Sequence, residues 1–242
     1  MTRQSDDKSA LRSMFALLVA VAAMALLGGC ATVAKPDPLE PFNRAMYEIN
    51  EPIDKHLVAP AIKAYRDYTW PPIRIAISNF FNNIDDLFSG INGLSQGKLD
   101  KAGNDFGRVV VNTIGLFGLI DIASDAGIER GNEDFGQTFG YWGIPQGPYL
   151  FIPLFGPTTV RDGSGWIVRL YVGPAGYIPD VPDRNIIYGL GAVDMRSQAQ
   201  DAVTFVDQAA LDRYNFIRRA YLQRRQYLVY DGKPPPEKED EE

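Results

Sequence analysis

Along residues 39–68 the apolar positions recur at helical spacing, with Phe42, Met46 and Ile49 at i, i+4 and i+7. The pattern predicts a helix there, with Pro60 in the first turn of a second short helix over Ala61–Tyr68. Pro71 and Pro72 open a third helix, whose apolar stripe is Ile73, Ile77, Phe80, Phe81, Ile84 and Phe88. A fourth is predicted over Leu99–Ile114, with Phe106, Val110 and Ile114 aligned, and two long helices over Asn185–Val229, parted near Gln208. No segment keeps the two-residue alternation of a half-buried strand over a useful length, so the expected fold class is all-α.

The middle of the chain breaks this pattern. Residues 115–176 hold 13 of the 23 glycines, and Phe135–Val160 runs for 26 residues without a charged side chain. That run is long enough to cross a bilayer, but its five glycines and four prolines exclude a single spanning helix. Two readings stay open: a core-lining loop, or a loop in contact with lipid or another membrane protein. Within it lies the apolar stretch Tyr149–Phe155, which makes Phe151, Leu154 and Phe155 candidates for a lipid path.

The first residues carry an export pattern. Arg3, Lys8 and Arg12 form a basic leader, and Met14–Leu27 is an uncharged apolar run of 14 residues, too short to span a membrane. It ends in Leu27-Gly28-Gly29-Cys30, which resembles a bacterial lipobox: Leu, two small residues, then a Cys whose thiol takes a diacylglycerol. Cys30 is the only cysteine of the 242 residues, which excludes an internal disulfide and a cysteine zinc cluster. Ala31 in place of Asp points to onward sorting to the outer membrane. The expected layout is a signal peptide over 1–29, a lipidated tether over 30–38, one helical domain over 39–231 and a disordered acidic tail over 232–242.

Charge narrows the function. The chain from Cys30 onward has 213 residues and a net charge of −7, which speaks against nucleic acid as a partner. One histidine, His56, leaves little for a metal or base site, and Gly163-Ser164-Gly165 lacks the Gly-x-Ser-x-Gly elbow of a hydrolase. There is no phosphate-cradling nucleotide loop. The expectation is no catalytic residue, no metal and no cofactor.

The remaining motifs resemble one family. They are Asp37-Pro38-Leu39-Glu40-Pro41-Phe42-Asn43-Arg44, Asn79-Phe80-Phe81-Asn82-Asn83 and Asn112-Thr113-Ile114-Gly115-Leu116-Phe117-Gly118 with Asp121. Glu133-Asp134-Phe135-Gly136-Gln137-Thr138, Pro153-Leu154-Phe155-Gly156-Pro157-Thr158-Thr159-Val160-Arg161-Asp162 and Tyr221-Leu222-Gln223-Arg224-Arg225 follow in order. Together, from Asp37 to about Gly232, they are similar to the MlaA (VacJ) family of outer-membrane phospholipid-transport lipoproteins. No acid follows the Arg161-Asp162 segment between Trp166 and Tyr177, where the family often has one. The resemblance implies a ring-like helical domain in the outer membrane, anchored by lipid on Cys30 and facing the periplasm. It implies association with a trimeric porin, removal of phospholipid misplaced in the outer leaflet, and transfer to a soluble periplasmic carrier, with an inner-membrane ABC-type complex further along.

On that reading Asn79, Asn82 and Asn83 are candidate polar lining of a passage, or simply helix-surface asparagines. Arg161 and Asp162 stand at its mouth, or form an ion-paired turn. The arginines of the last helix meet headgroups or the carrier, or only solvent. Two other function classes stay open: a structural lipoprotein that clamps porins, and a lipid-modifying enzyme. If Cys30 is the acylation site, Cys30→Ala leaves an unprocessed precursor; normal processing and outer-membrane fractionation of that variant would overturn the anchor.

Overall fold

The structure is a computed structural model that describes residues 37–235. The signal peptide, Cys30, most of the tether and most of the acidic tail lie outside the described residues. Helix α1, Glu40–Ile53, starts with Pro41 in its first turn, where a missing N–H costs nothing. It passes through a wide π turn, Asp54–Val58, into α2, Ala59–Tyr68. Pro52 and Pro60 each withhold an N–H from the helical ladder, and the π turn falls between them. The expected break before Ala61 is therefore a change of pitch in one continuous rod.

Helix α3, Pro71–Ser95, opens on two prolines and closes at Gly97, whose φ of 73° lets the Lys98 amide donate back to the Gly93 carbonyl. The three-residue link turns the chain into α4, Leu99–Leu116, so the two helices pack as a hairpin. Gly90 makes room for the Phe106 ring, and Gly93 lets Ala102 approach closely. Short helices follow: α5, Ile122–Asp125, capped by Asp121, and α6, Phe135–Tyr141, capped by Asp134.

The Gly/Pro-rich middle is not all loop. Tyr149–Ile152 (β1) and Gly156–Thr159 (β2) form an antiparallel hairpin with Tyr149 opposite Thr159 and Ile152 opposite Gly156. Each strand has four residues, too few to print a period of two, and Pro157 sits on an edge strand where an N–H is dispensable. Thr159 then caps α7, Val160–Val172. A 3-10 turn, Pro174–Tyr177, leads to α8, Val181–Gln198.

The last third holds three helices where the sequence predicted two: α8, α9 (Gln200–Ala209) and α10 (Arg213–Val229). The extra break falls at Ala199, a residue with high helix propensity, so nothing local marks it. Asp212 caps α10.

Contacts close a circuit. α3 touches α6, α6 touches α7, α7 touches the 3-10 turn, that turn touches α8, and α8 returns to α3. A small aromatic core of Tyr149, Phe151, Tyr214 and Leu222, with Met46, Tyr47 and Tyr221 against it, joins α1, the hairpin and α10. At the α6–α7 crossing the backbones meet directly: a Cβ on Gly165 would lie 2.5 Å from the Gly136 amide nitrogen. Gly165→Ala is therefore expected to destabilise the fold by at least about 1–3 kcal/mol. Gly163→Ala, on the same helix with its nearest neighbour at 3.6 Å, should be neutral or stabilising by up to about 1 kcal/mol. Thermal unfolding of the two variants side by side checks the contrast.

Candidate functional site, an apolar exterior over a polar interior

The helix stripes that predict a core are only partly buried: Phe88 is in the core and Ile77, Phe81, Ile84 and Phe106 are half-buried, but other apolar positions face outward. Ile73, Ile75 and Phe80 on α3, and Val110, Ile114 and Leu116 on α4, are exposed; so are Trp166, Ile167, Leu170 and Tyr171 on α7. Inside, the balance is reversed: among the described residues eighteen polar or charged side chains are buried against nine hydrophobic ones. Water as the only solvent would favour the opposite arrangement.

Many of the interior charges belong to balanced groups that extend to the surface. Arg108, with no exposed surface, donates to Asp86 at 2.9 Å, to both Asp121 oxygens at 2.8 and 2.9 Å, and to the Ile128 carbonyl at 2.6 Å. Arg130 approaches Asp86 and Asp121 as well, so two arginines face two aspartates. In a second group Lys98 and Lys101 both reach Glu133 and Asp231. Ser89 donates to Asp105 and accepts from the Glu133 amide, which pins residues 131–133 onto the α3–α4 hairpin.

The third group contains two residues singled out from the sequence. Arg161 and Asp162 are both buried, and Arg161 donates to Asp162 at 3.1 Å. Asp162 also accepts from Arg225 and from the Tyr221 hydroxyl, and Arg225 reaches on to Asp134. The result ties α6, α7 and α10 together. Burial alone would raise the Asp134 carboxyl, yet the Arg225 guanidinium holds it below its ordinary range. The Tyr221 hydroxyl is pushed well up by burial and by the Asp162 charge.

The other sequence candidates fall in two places. The Asn79 amide donates to the Leu119 carbonyl at 3.0 Å and that of Asn83 to the Thr113 hydroxyl at 3.0 Å, while Asn82 is half-buried on the same helix. Asn79 and Asn83 thus brace the end of α4 and the turn after it. That tip carries Ile114, 81% exposed, and Phe117, 79% exposed and held at a φ of 52°. No charge occurs from Val109 to Ile120, so the tip is apolar and strained. At the hairpin, Phe151 is buried in the aromatic core, whereas Leu154 and Phe155 at its turn are exposed. The Phe155 ring meets Trp166 edge-on at 4.5 Å. The asparagines thus stand on α3, the Arg161–Asp162 pair at the start of α7, and the hairpin turn against Trp166 of that same helix. His56 is on the surface of the π turn, its ring nitrogen 2.9 Å from the Pro52 carbonyl.

Sequence reasoning passed over Asp86, Arg108, Asp105 and Glu133 as interior residues. Arg108 and Asp86 are 22 positions apart, and Arg225 and Asp134 are 91 apart, so no local spacing announces them. An open cleft of about 560 Å³ lies between α1 and the start of α10, its rim formed by Arg44, Glu48, Glu51 and Asp212. Among the described residues no helix is long and apolar enough to cross a membrane.

An apolar exterior over a charge-paired interior is the pattern of a membrane-associated helical domain. The sequence profile of the MlaA lipoprotein family matches residues 35–228. The chain belongs to that family. It is 34% identical over 235 residues to the intermembrane phospholipid transport system lipoprotein MlaA of Haemophilus influenzae, covering 92% of this chain and 94% of that one. The protein of the same name from Escherichia coli K12 is 32% identical over 222 residues, 88% of each chain. A solved structure from work on the structural basis for maintenance of bacterial outer membrane lipid asymmetry superposes with a TM-score of 0.71 at 30% identity. It is matched over its whole length and over 81% of this chain.

Two outcomes follow from the buried groups. Arg108→Met leaves Asp86 without its main partner and should cost about 3–5 kcal/mol in denaturant titrations. Burial raises the Asp121 carboxyl, but its bonds from Ser124, Asn112 and Arg108 win and bring it from 3.8 down to about 2. A carboxyl lowered by folding stabilises above its ordinary pKa and loses that contribution as pH falls through its folded one. Stability worth about 2 kcal/mol should therefore disappear between about pH 4 and pH 2. Acid titration of Asp121→Asn should lack that component.

Proposed function

We propose that this chain is an outer-membrane lipoprotein, anchored by lipid on Cys30 in the periplasm-facing leaflet, that lets misplaced phospholipid leave the outer leaflet. It passes the lipid to a soluble periplasmic carrier and performs no covalent chemistry. The observation that carries this reading is the inversion of polarity, an apolar exterior around a charge-paired interior, in a chain whose relatives are named for phospholipid transport.

The physics is a barrier problem. A charged headgroup crossing hydrocarbon costs several kcal/mol, and polar partners along the way lower that figure. A domain of this length has a radius of gyration of about 17 Å, thick enough to bridge a leaflet and offer such partners. The acyl chains stay outside, where exposed side chains such as Ile114 and Phe117 match them. Part of that apolar surface is covered by a trimeric porin, which gives the domain a fixed seat in the membrane. Without a nucleotide loop the chain does no work on the lipid; the carrier sets direction by binding what emerges.

The test is reconstitution of the full lipidated chain with a labelled phospholipid in the distal leaflet, with purified carrier added or withheld. Extraction that depends on the carrier and proceeds without nucleotide is the expected result. Loss of the protein from cells should leave phospholipid in the outer leaflet and weaken resistance to detergent. Porin capture without extraction would point to a structural clamp, and release of fatty acid would point to an enzyme; either sinks the transport reading.

A further inference from the structure

Arg169 is the only charged residue between Asp162 and Asp180. It stands on α7 among exposed apolar neighbours, Trp166, Leu170 and Tyr171. Its side chain reaches across to α3, where the guanidinium carbon lies 3.8 Å from the centre of the Phe88 ring. Nη2 donates to Asp85 at 2.8 Å. A Cβ on Gly173 would come within 3.0 Å of Nη1, so only a glycine there leaves room for the guanidinium in this position.

This arginine is held differently from the others described above. Arg108 and Arg225 are buried, and each divides its donors between two carboxylates. Arg169 keeps about a quarter of its side chain exposed, and its partner Asp85 is 67% exposed. An ion pair that open is worth at most about 1 kcal/mol, so another anion can replace Asp85. The stack on Phe88 fixes the guanidinium plane without using its donors, and a planar fork suits two oxygens of one phosphate. Phe88 is itself buried against Phe135 of α6, so the platform does not move when Asp85 does. Asp86, the next residue, is committed to Arg108, so Asp85 can swing out while the helix stays fixed.

We propose that Arg169 is a phosphate-receiving site for a phospholipid headgroup, with Asp85 as the resident anion that the phosphate displaces. The proposal rests on the transport reading and names the headgroup chemistry within it: the phosphodiester is gripped, whatever it carries. Because the pair with Asp85 is open and weak, phosphate can take its place while the stack on Phe88 holds the guanidinium where it is.

The experiment uses the purified full-length protein in detergent. Bound lipid is counted by native mass spectrometry against phosphatidylglycerol, diacylglycerol of the same acyl chains, and inorganic phosphate alone. Wild type should retain phosphatidylglycerol over diacylglycerol, and Arg169→Gln should lower phosphatidylglycerol retention about tenfold or more while diacylglycerol is unchanged. Asp85→Asn, which removes the competitor, should raise phosphatidylglycerol retention by up to about fivefold. The opposite signs separate this from misfolding, which would lower both; thermal midpoints of the two variants check the same point. Equal phosphatidylglycerol retention by wild type and Arg169→Gln, or a fall in Asp85→Asn, overturns the proposal and leaves transport standing. Wild type that retains no phospholipid overturns the transport reading itself. Capture of inorganic phosphate with no preference between the two lipids would assign the site to the free ion and overturn the headgroup role.

Discussion

Three charge groups that run from the interior to the surface each sum to zero. Two arginines meet two aspartates around Arg108, two lysines meet Glu133 and Asp231, and Arg161 with Arg225 meets Asp134 with Asp162. In a low-dielectric setting an unmatched ion is costly, so pairing constrains how the helices meet, and where a buried carboxylate such as Asp105 has no cation beside it, the Ser89 hydroxyl and the Gly131 amide donate to it instead. The architecture follows from it. Residues 121–133 bury Ala123 and pack Ile122 onto Gly115, and they are held against α3 and α4 chiefly by Arg108, Asp105 and Ser89. α10 is fixed to α6 and α7 by one arginine with two carboxylate partners.

Matched charges in the centre free the apolar side chains to face outward. In an aqueous protein the leucines and phenylalanines of α3 and α4 would supply the cohesion. Here much of that surface is left at the periphery, and polar contacts with glycine-mediated close approach replace it. Gly165 on Gly136 and Gly90 under Phe106 bring backbones near enough for those contacts to work. A buried ion pair contributes little net stability, but losing half of one is severe, so such an interior gives geometric definition more than strength.

How much of this can be read from sequence depends on the range of the interaction. Pro71-Pro72 and the caps at Asp121, Asp134 and Asp212 act within four residues, and they mark helix starts that periodicity alone leaves vague. The hairpin escaped because four-residue strands carry no measurable period, and the break at Ala199 because alanine gives no stop signal. The stripe Ile73–Phe88 is legible as a stripe, yet spacing says that two faces differ and not how deeply each position is buried: Phe88 is in the core, Ile77, Phe81 and Ile84 are half-buried, and Ile73 and Phe80 are exposed. Arg161 and Asp162 stood out as a charged pair after an uncharged run. Their partner Arg225 is 63 residues from Asp162, and nothing short of the fold joins them. Asn79 and Asn83 were visible as polar residues on an apolar helix, but the carbonyl and hydroxyl they hold lie 40 and 30 residues on.

The three tryptophans of the chain are Trp70, between α2 and α3, Trp142, just after α6, and Trp166, on α7. All three are exposed. An indole buried in an ordinary core reports on unfolding; these report on their surroundings. Each samples a different stretch of the perimeter, and Trp166 does so while touching Phe155 at the hairpin turn. Their emission maxima, and their quenching by nitroxides fixed at known positions along an acyl chain, make the protein its own depth gauge. With single-tryptophan versions, the tilt of the domain relative to the bilayer plane becomes a quantity that a fluorimeter can read without any added label.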